Sequence, residues 1–121
     1  MKICITAQGD QMEAPVDPRF GRCAYFLIID SQTGEMSAIH NNGGASGGSG
    51  VQAGQTMADH QVEAVLTGNV GPNAYQTLQA AGIAVYAGIS GTVQEALECF
   101  RQGDLPSPMA GPSVESHFGE A

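Results

Sequence analysis

The segment EAVLTGNVGPNAYQTLQAAGIAVYAG, Glu63–Gly88, constrains the fold more than any other part of the chain. Glu63–Gly68 and Ile83–Gly88 are short apolar runs ending in glycine, and they read as buried strands. Between them, Asn69–Gly82 is a helical unit with Pro72 in its first turn and Gly82 as its C′ residue. Ala74, Leu78 and Ala81, with Tyr75 beside them, make its expected inner face. Two strands joined through a helix run parallel, and the crossover is right-handed. The chain must therefore build at least part of a parallel sheet with a helix laid over it.

The N-terminal half reads differently. Lys2–Ala7 is a buried first strand, and Cys23–Asp30 is a second. Ser31–Gly34 is a hairpin turn that leads into a third strand over Glu35–Asn41, antiparallel to the second and nearer an edge. After the glycine-rich stretch Asn42–Gly50, Val51–His60 reads as a helix with Ser49 as its N-cap, its spacing set by Val51, Gln55, Ala58 and Val62. Gly54 inside it lowers helix propensity. The last helix, Gly91–Phe100, carries a capping box of Thr92 and Glu95 and an apolar stripe of Val93, Ala96, Leu97 and Phe100. The order β β β α β α β α predicts one mixed α/β sheet, three antiparallel strands followed by two βα units, with helices on its faces. The domain is expected over residues 1–105, followed by a Pro/Gly/Ser-rich C-terminal tail over 106–121.

Composition narrows the function. The net charge of −8 argues against binding nucleic acid or an anionic membrane face. The N-terminal apolar run is too short for a signal-peptide core or a membrane span, so a cytoplasmic protein is expected. The cysteines Cys4, Cys23 and Cys99 show no C-x-x-C spacing, and no histidine pair has metal-ligand spacing. Neither a Gly-Lys-Ser/Thr phosphate loop nor a G-x-S-x-G nucleophile motif occurs, and no catalytic residues are assigned.

Strand direction collects the chemistry. If the end where the first strand finishes is called up, the loops 8–22, 42–50, 68–72 and 87–91 all lie at the up edge. Open α/β sheets bind ligands beyond the carboxyl ends of their parallel strands. Three helix N-termini, near Gly50, Pro72 and Thr92, are expected there and favour an anion. Of the four basic residues, Lys2, Arg19, Arg22 and Arg101, two lie in the single stretch Asp17–Arg22 at this edge. A structural reading of the same stretch has Asp17 pairing with an arginine, Pro18 fixing the turn and Phe20 plugging the sheet end. Cys23 beside the arginines is either a small core residue or a thiol of lowered pKa.

The segments DPRFGRCAYFLIID, GGSGVQAGQTMADHQVEAVLTGNVGPNAYQTLQAAGIAVYAG and GTVQEALECFRQGDL resemble the dinitrogenase iron–molybdenum cofactor biosynthesis family. The resemblance spans roughly residues 1–105 and implies a ribonuclease H-like three-layer α/β/α fold. It also implies noncovalent binding or carriage of an anionic metal–sulfur cluster rather than turnover. The positions it points to are Asp17, Arg19, Phe20, Gly21 and Arg22 in the first loop and Gly48 and Gly50 in the second. In the third they are Gly68, Asn69, Gly71, Pro72 and Asn73, with Cys23 as a candidate metal ligand. Because the domain stands alone in this sequence, a molybdenum- and copper-containing sulfide cluster is the preferred cargo, and the iron–molybdenum cofactor or its precursor is the alternative. A donor or acceptor protein for the cluster is the implied partner. Ribonuclease H-like nucleases place a metal-binding carboxylate in their first strand, where this chain has Ile3, Cys4, Ile5 and Thr6. Two other functions stay open: a small enzyme acting on an anionic metabolite at the same edge, and a regulatory module binding a basic partner through the acidic surface.

Overall fold

A computed structural model describes residues 1–41, 49–105 and 108–109 of the chain. In chain order its elements are β1 (Lys2–Ala7), β2 (Tyr25–Asp30), β3 (Met36–His40), α1 (Ser49–Asp59), β4 (Ala64–Leu66), α2 (Pro72–Ala80), β5 (Ala84–Tyr86) and α3 (Val93–Gln102). The strands form one mixed sheet in the spatial order β3-β2-β1-β4-β5. β1 pairs antiparallel with β2, and β2 with β3; β1–β4 and β4–β5 are parallel. β1 thus joins the antiparallel start to the parallel βα units, as the element order predicts.

Both faces of the sheet are covered. Cys4, Phe26, Ile28, Val65 and Val85 pack under Ala53 and Met57 of α1 and Ala74, Tyr75 and Leu78 of α2. On the other face Ile3, Ile5, Leu27, Ile29 and Leu66 pack under Val93, Ala96 and Leu97 of α3. Successive residues of β1 therefore enter opposite cores, which is why its sequence is apolar without alternation. Burying each large aliphatic side chain stabilises the fold by about 1.5–3 kcal/mol. The result is the three-layer α/β/α arrangement expected for a ribonuclease H-like domain.

Two helix faces differ from the sequence reading. In α1 the residues Val51, Gln55 and Ala58 are exposed, and Ala53, Gly54 and Met57 are buried. The reason is a close helix–helix approach at Gly54, where a Cβ would stand 2.5 Å from the Thr77 Cγ2 of α2. The glycine that weakens the helix is the one that lets it dock. In α2, Ala81 is exposed because the helix has already ended, with Gly82 in the left-handed region at φ 74°. β2 begins two residues later than its apolar run suggests, because Cys23 and Ala24 belong to the loop before it.

The lower end of the sheet carries plain turns. Asp30 Oδ1 accepts the backbone N–H groups of Gln32 and Thr33 at 2.8 and 3.1 Å, and these donors hold its carboxyl below the usual range. After α3 the chain returns to the outer edge of β5. There the Met109 N–H donates to the Val85 carbonyl at 2.8 Å, and the Tyr75 hydroxyl donates to the Met109 carbonyl at 3.2 Å.

Candidate functional site

Three of the four predicted up-edge loops are stitched together at the carboxyl end of β1, β4 and β5. The Asn69 N–H donates to the Pro18 carbonyl at 2.7 Å, and the Phe20 N–H to the Asn69 carbonyl at 3.3 Å. The Gly88 N–H donates to the Gly68 carbonyl at 2.8 Å, and the Val16 N–H to the Gly91 carbonyl at 2.9 Å. Gly68 is required by this contact, since a Cβ there would lie 2.5 Å from Pro18 Cα and 2.8 Å from the Pro18 carbonyl oxygen. Residues 42–48, including Gly48, lie outside the described residues, while Gly50 falls in the first turn of α1.

Asp17 anchors the first loop. It is 1% exposed. Its Oδ1 accepts the Arg19 backbone N–H at 3.0 Å and Arg19 Nε at 3.2 Å, and its Oδ2 accepts Arg19 Nη2 and the Ala24 N–H, both at 3.3 Å. The Thr6 hydroxyl donates to the Asp17 carbonyl at 2.7 Å, and the Asp17 N–H donates to the Thr6 carbonyl at 2.9 Å. With that proton committed, the buried Thr67 hydroxyl 2.7 Å away is the donor to Thr6 Oγ1. Phe20 is buried against Phe26, ring centroids 5.9 Å apart. The structural reading of this stretch therefore holds for Asp17, Arg19 and Phe20.

Arg22 is different. Its side chain is exposed, and among the described residues it has no ion-pair or hydrogen-bond partner. Arg19 is also exposed, but its charge is compensated by Asp17, which raises the guanidinium pKa further. Lys2 and Arg101 lie at the opposite end, where Arg101 Nε donates to the Ser31 carbonyl at 2.9 Å. Among the described residues, Arg22 is thus the uncompensated cation of this edge.

The helix N-termini do not contribute equally, contrary to the sequence expectation. At α3 the Val93 and Gln94 N–H groups donate to the carbonyls of Ala14 and Met12, each at 2.9 Å. The Glu95 N–H is taken by Thr92 Oγ1 at 3.1 Å, and the Thr92 N–H by Glu95 Oε1 at 2.9 Å. That end is closed by the first loop and its capping box. At α2 the N-cap is Gly71, which carries no side chain to cap the helix, and Pro72 follows at the first position. Neither Asn69 nor Asn73 caps it; both are exposed. The positive dipole end of α2 thus lies without a side-chain cap beside the loop that Asn69 ties to Pro18 and Phe20.

Cys23 is 1% exposed, and its thiol is pushed up to about 12, chiefly by burial and then by the nearby Asp17 charge. The arginine environment that suggested a lowered pKa is outweighed. Cys4 is fully buried and shifted the same way by burial, whereas Cys99 is exposed on α3. A thiol reagent at pH 8 should therefore titrate one cysteine quickly in the native protein and all three in guanidinium. Rapid modification of a second thiol under native conditions would contradict the placement of Cys23.

Sequence reasoning missed Asn41, Thr6 and Thr67. Asn41 Nδ2 donates to the carbonyls of Gly21 at 3.1 Å and Cys23 at 3.0 Å. His40 before it stacks beside Tyr25, ring centroids 5.1 Å apart. Their polarity in otherwise apolar strand ends was the available signal. A recess of about 490 Å3 at the far end, lined in part by Lys2, Asp30, Glu35 and His60, mixes both charges and gathers no glycine loops. Among the described residues no group of three His, Cys, Asp or Glu side chains is placed to hold a metal ion.

Comparison with known proteins agrees with this fold. Residues 1–103 match the family model described as dinitrogenase iron-molybdenum cofactor. The apo form of the orange protein from Desulfovibrio gigas superposes with a TM-score of 0.89 at 39% identity, covering 93% of this chain and 96% of that one. An NMR structure from Thermotoga, of the DUF35 family, gives a TM-score of 0.78 at 36% identity, covering 88% and 91%. An uncharacterized protein of Methanocaldococcus jannaschii is 30% identical over 109 residues, 87% of this chain and 89% of its own.

Proposed function

The chain belongs to the dinitrogenase iron-molybdenum cofactor family, and from that membership we propose that its upper edge binds and carries an anionic, molybdenum-containing metal–sulfur cluster without turnover. The observation that carries the reading is Arg22, exposed and without a partner among the described residues, at the same sheet edge as the N-terminus of α2, in a chain whose net charge is −8. A sulfide-rich oligoanion is large, soft and multiply charged, so its surface accepts N–H donors without protein ligands to the metal. The groups present fit it: the Arg22 guanidinium, the outward side of Arg19, and the N-terminal dipole end of α2 at Gly71–Asn73. Cys23, buried and protonated, is proposed as a core residue rather than a ligand.

The resemblance set out from the sequence makes a mixed molybdenum–copper sulfide the preferred cargo of this proposal. The family description favours, as the second reading, the iron–molybdenum cofactor or a precursor of it. Either way the cluster comes from a donor protein and leaves to an acceptor. No helix among the described residues is long and apolar enough to cross a membrane.

Adding tetrathiomolybdate and copper to the purified protein should give a coloured complex that survives desalting at fixed stoichiometry. Passage of the metal unbound would overturn the reading. Arg22→Ala should weaken retention about tenfold or more, the value of a charge-assisted hydrogen bond of about 1.5–3 kcal/mol. Arg101→Ala, which removes the same charge from the far end, should change it less than twofold. Equal losses would place the site elsewhere.

A further inference from the structure

Two side chains hold the backbone around Arg22. Asp17 accepts the N–H groups of Arg19 and Ala24, and Asn41 donates to the carbonyls of Gly21 and Cys23. The orientation of the Asn41 amide is dictated by chemistry: both partners are carbonyl oxygens, so both contacts must come from the NH2 group. The two acceptors are the residues immediately before and after Arg22. Asn41 is itself fixed, since its own N–H donates to the Ala24 carbonyl at 2.9 Å and prolongs the β2–β3 ladder. Asp17 is fixed from the other side by Thr6 of β1.

We infer that Asn41 is a positioning residue for Arg22, clamping the carbonyls of the residues on either side of it so that an exposed cation stands on a rigid backbone before any anion arrives. The inference rests on the proposed anion site. Its physical basis is preorganisation: the ordering cost of residues 19–24 is met on folding rather than on binding. Arg22 has no partner of its own among the described residues, so its direction depends on the backbone that carries it. Asp17 serves the same loop but also neutralises Arg19. Asn41 adds no charge, and among the described residues its side chain hydrogen-bonds only to main chain, which makes it the cleaner test.

With tetrathiomolybdate as the probe, Asn41→Ala and Asn41→Asp should each weaken binding about tenfold. The aspartate is nearly the same size but turns carboxylate oxygens toward two carbonyls. In an Arg22→Ala background the same Asn41 changes should cost less than twofold, because the clamp then has nothing to aim. Equal losses in both backgrounds, or no loss in the first, would overturn the inference, since a merely structural asparagine would act alike in each. The backbone order parameters of residues 19–24 in the ligand-free protein give an independent reading. They should fall from roughly 0.85 to below roughly 0.6 in Asn41→Ala, with β1 and β4 unchanged. An unchanged loop sinks the clamp even if tetrathiomolybdate binds. Wild-type protein that ignores tetrathiomolybdate sinks the proposed function and leaves the order parameters to decide the clamp.

Discussion

Gly68→Ala is expected to lose about 3 kcal/mol of stability, the upper end for overpacking a tight site, and most of its anion binding with it. The added methyl would sit 2.5, 2.7 and 2.8 Å from Pro18 Cα, Cβ and carbonyl oxygen. Relief requires the two main chains to part, and both are held. Pro18 accepts from Asn69, Asn69 accepts from Phe20, and Gly68 accepts from Gly88. Separating them breaks the seam that joins the arginine loop to the N-terminus of α2. Gly71→Ala, in the same turn, is the control: among the described residues nothing lies within 4 Å of a Cβ there, and its φ of −77° suits any residue. It should stay within about 0.5 kcal/mol of wild type. Urea denaturation of the two variants decides the matter, and equal stabilities would show that the Pro18–Gly68 approach does not exist in solution.

The second large effect is alkaline. In the folded protein burial and the Asp17 charge keep the Cys23 thiol protonated up to about pH 12, against a usual value of 9.0. Between those values the unfolded chain has released a proton that the folded chain retains, so rising pH favours unfolding. The stabilisation is complete below pH 9 and is lost progressively toward pH 12. At pH 11 the loss from Cys23 should be about 2–3 kcal/mol. Cys4, fully buried, adds to it in the same direction. Comparing urea stability at pH 8 and pH 11 in wild type and Cys23→Ala isolates the contribution, because every other ionisable group is common to both proteins. Identical pH dependence in the two proteins would show that Cys23 ionises freely.

Much of this fold is legible in the sequence. The limits of β1 read directly from Lys2–Ala7, and the capping box at Thr92 and Glu95 forms as its spacing requires. Gly82 and Pro72 mark the ends of α2 because left-handed φ and a missing N–H are local properties. Reading α1 failed where propensity and packing disagree. Gly54 looks like a weakness in an isolated helix, yet it is the contact surface once α2 lies across it. The site was legible as a place and not as a mechanism. Asp17–Arg22 stood out as a cluster of charge, but its two arginines have separate roles. Asp17 takes one of them, and the four-contact geometry that does so is set by where Ala24 returns.

By itself the sequence determined the order of elements, the direction of every strand, and hence which loops share an edge. These follow from hydrophobic period and from Gly and Pro punctuation, which act over a few residues. Only the tertiary structure decided which donors at that edge remain free. The N–H groups of α3 are consumed by the carbonyls of Met12 and Ala14, and the backbone beside Arg22 is held by Asn41. The physical reason is that these partners are main-chain groups distant in sequence. Every residue supplies the same carbonyl, so nothing in the letters marks which one a fold will bring to a helix end.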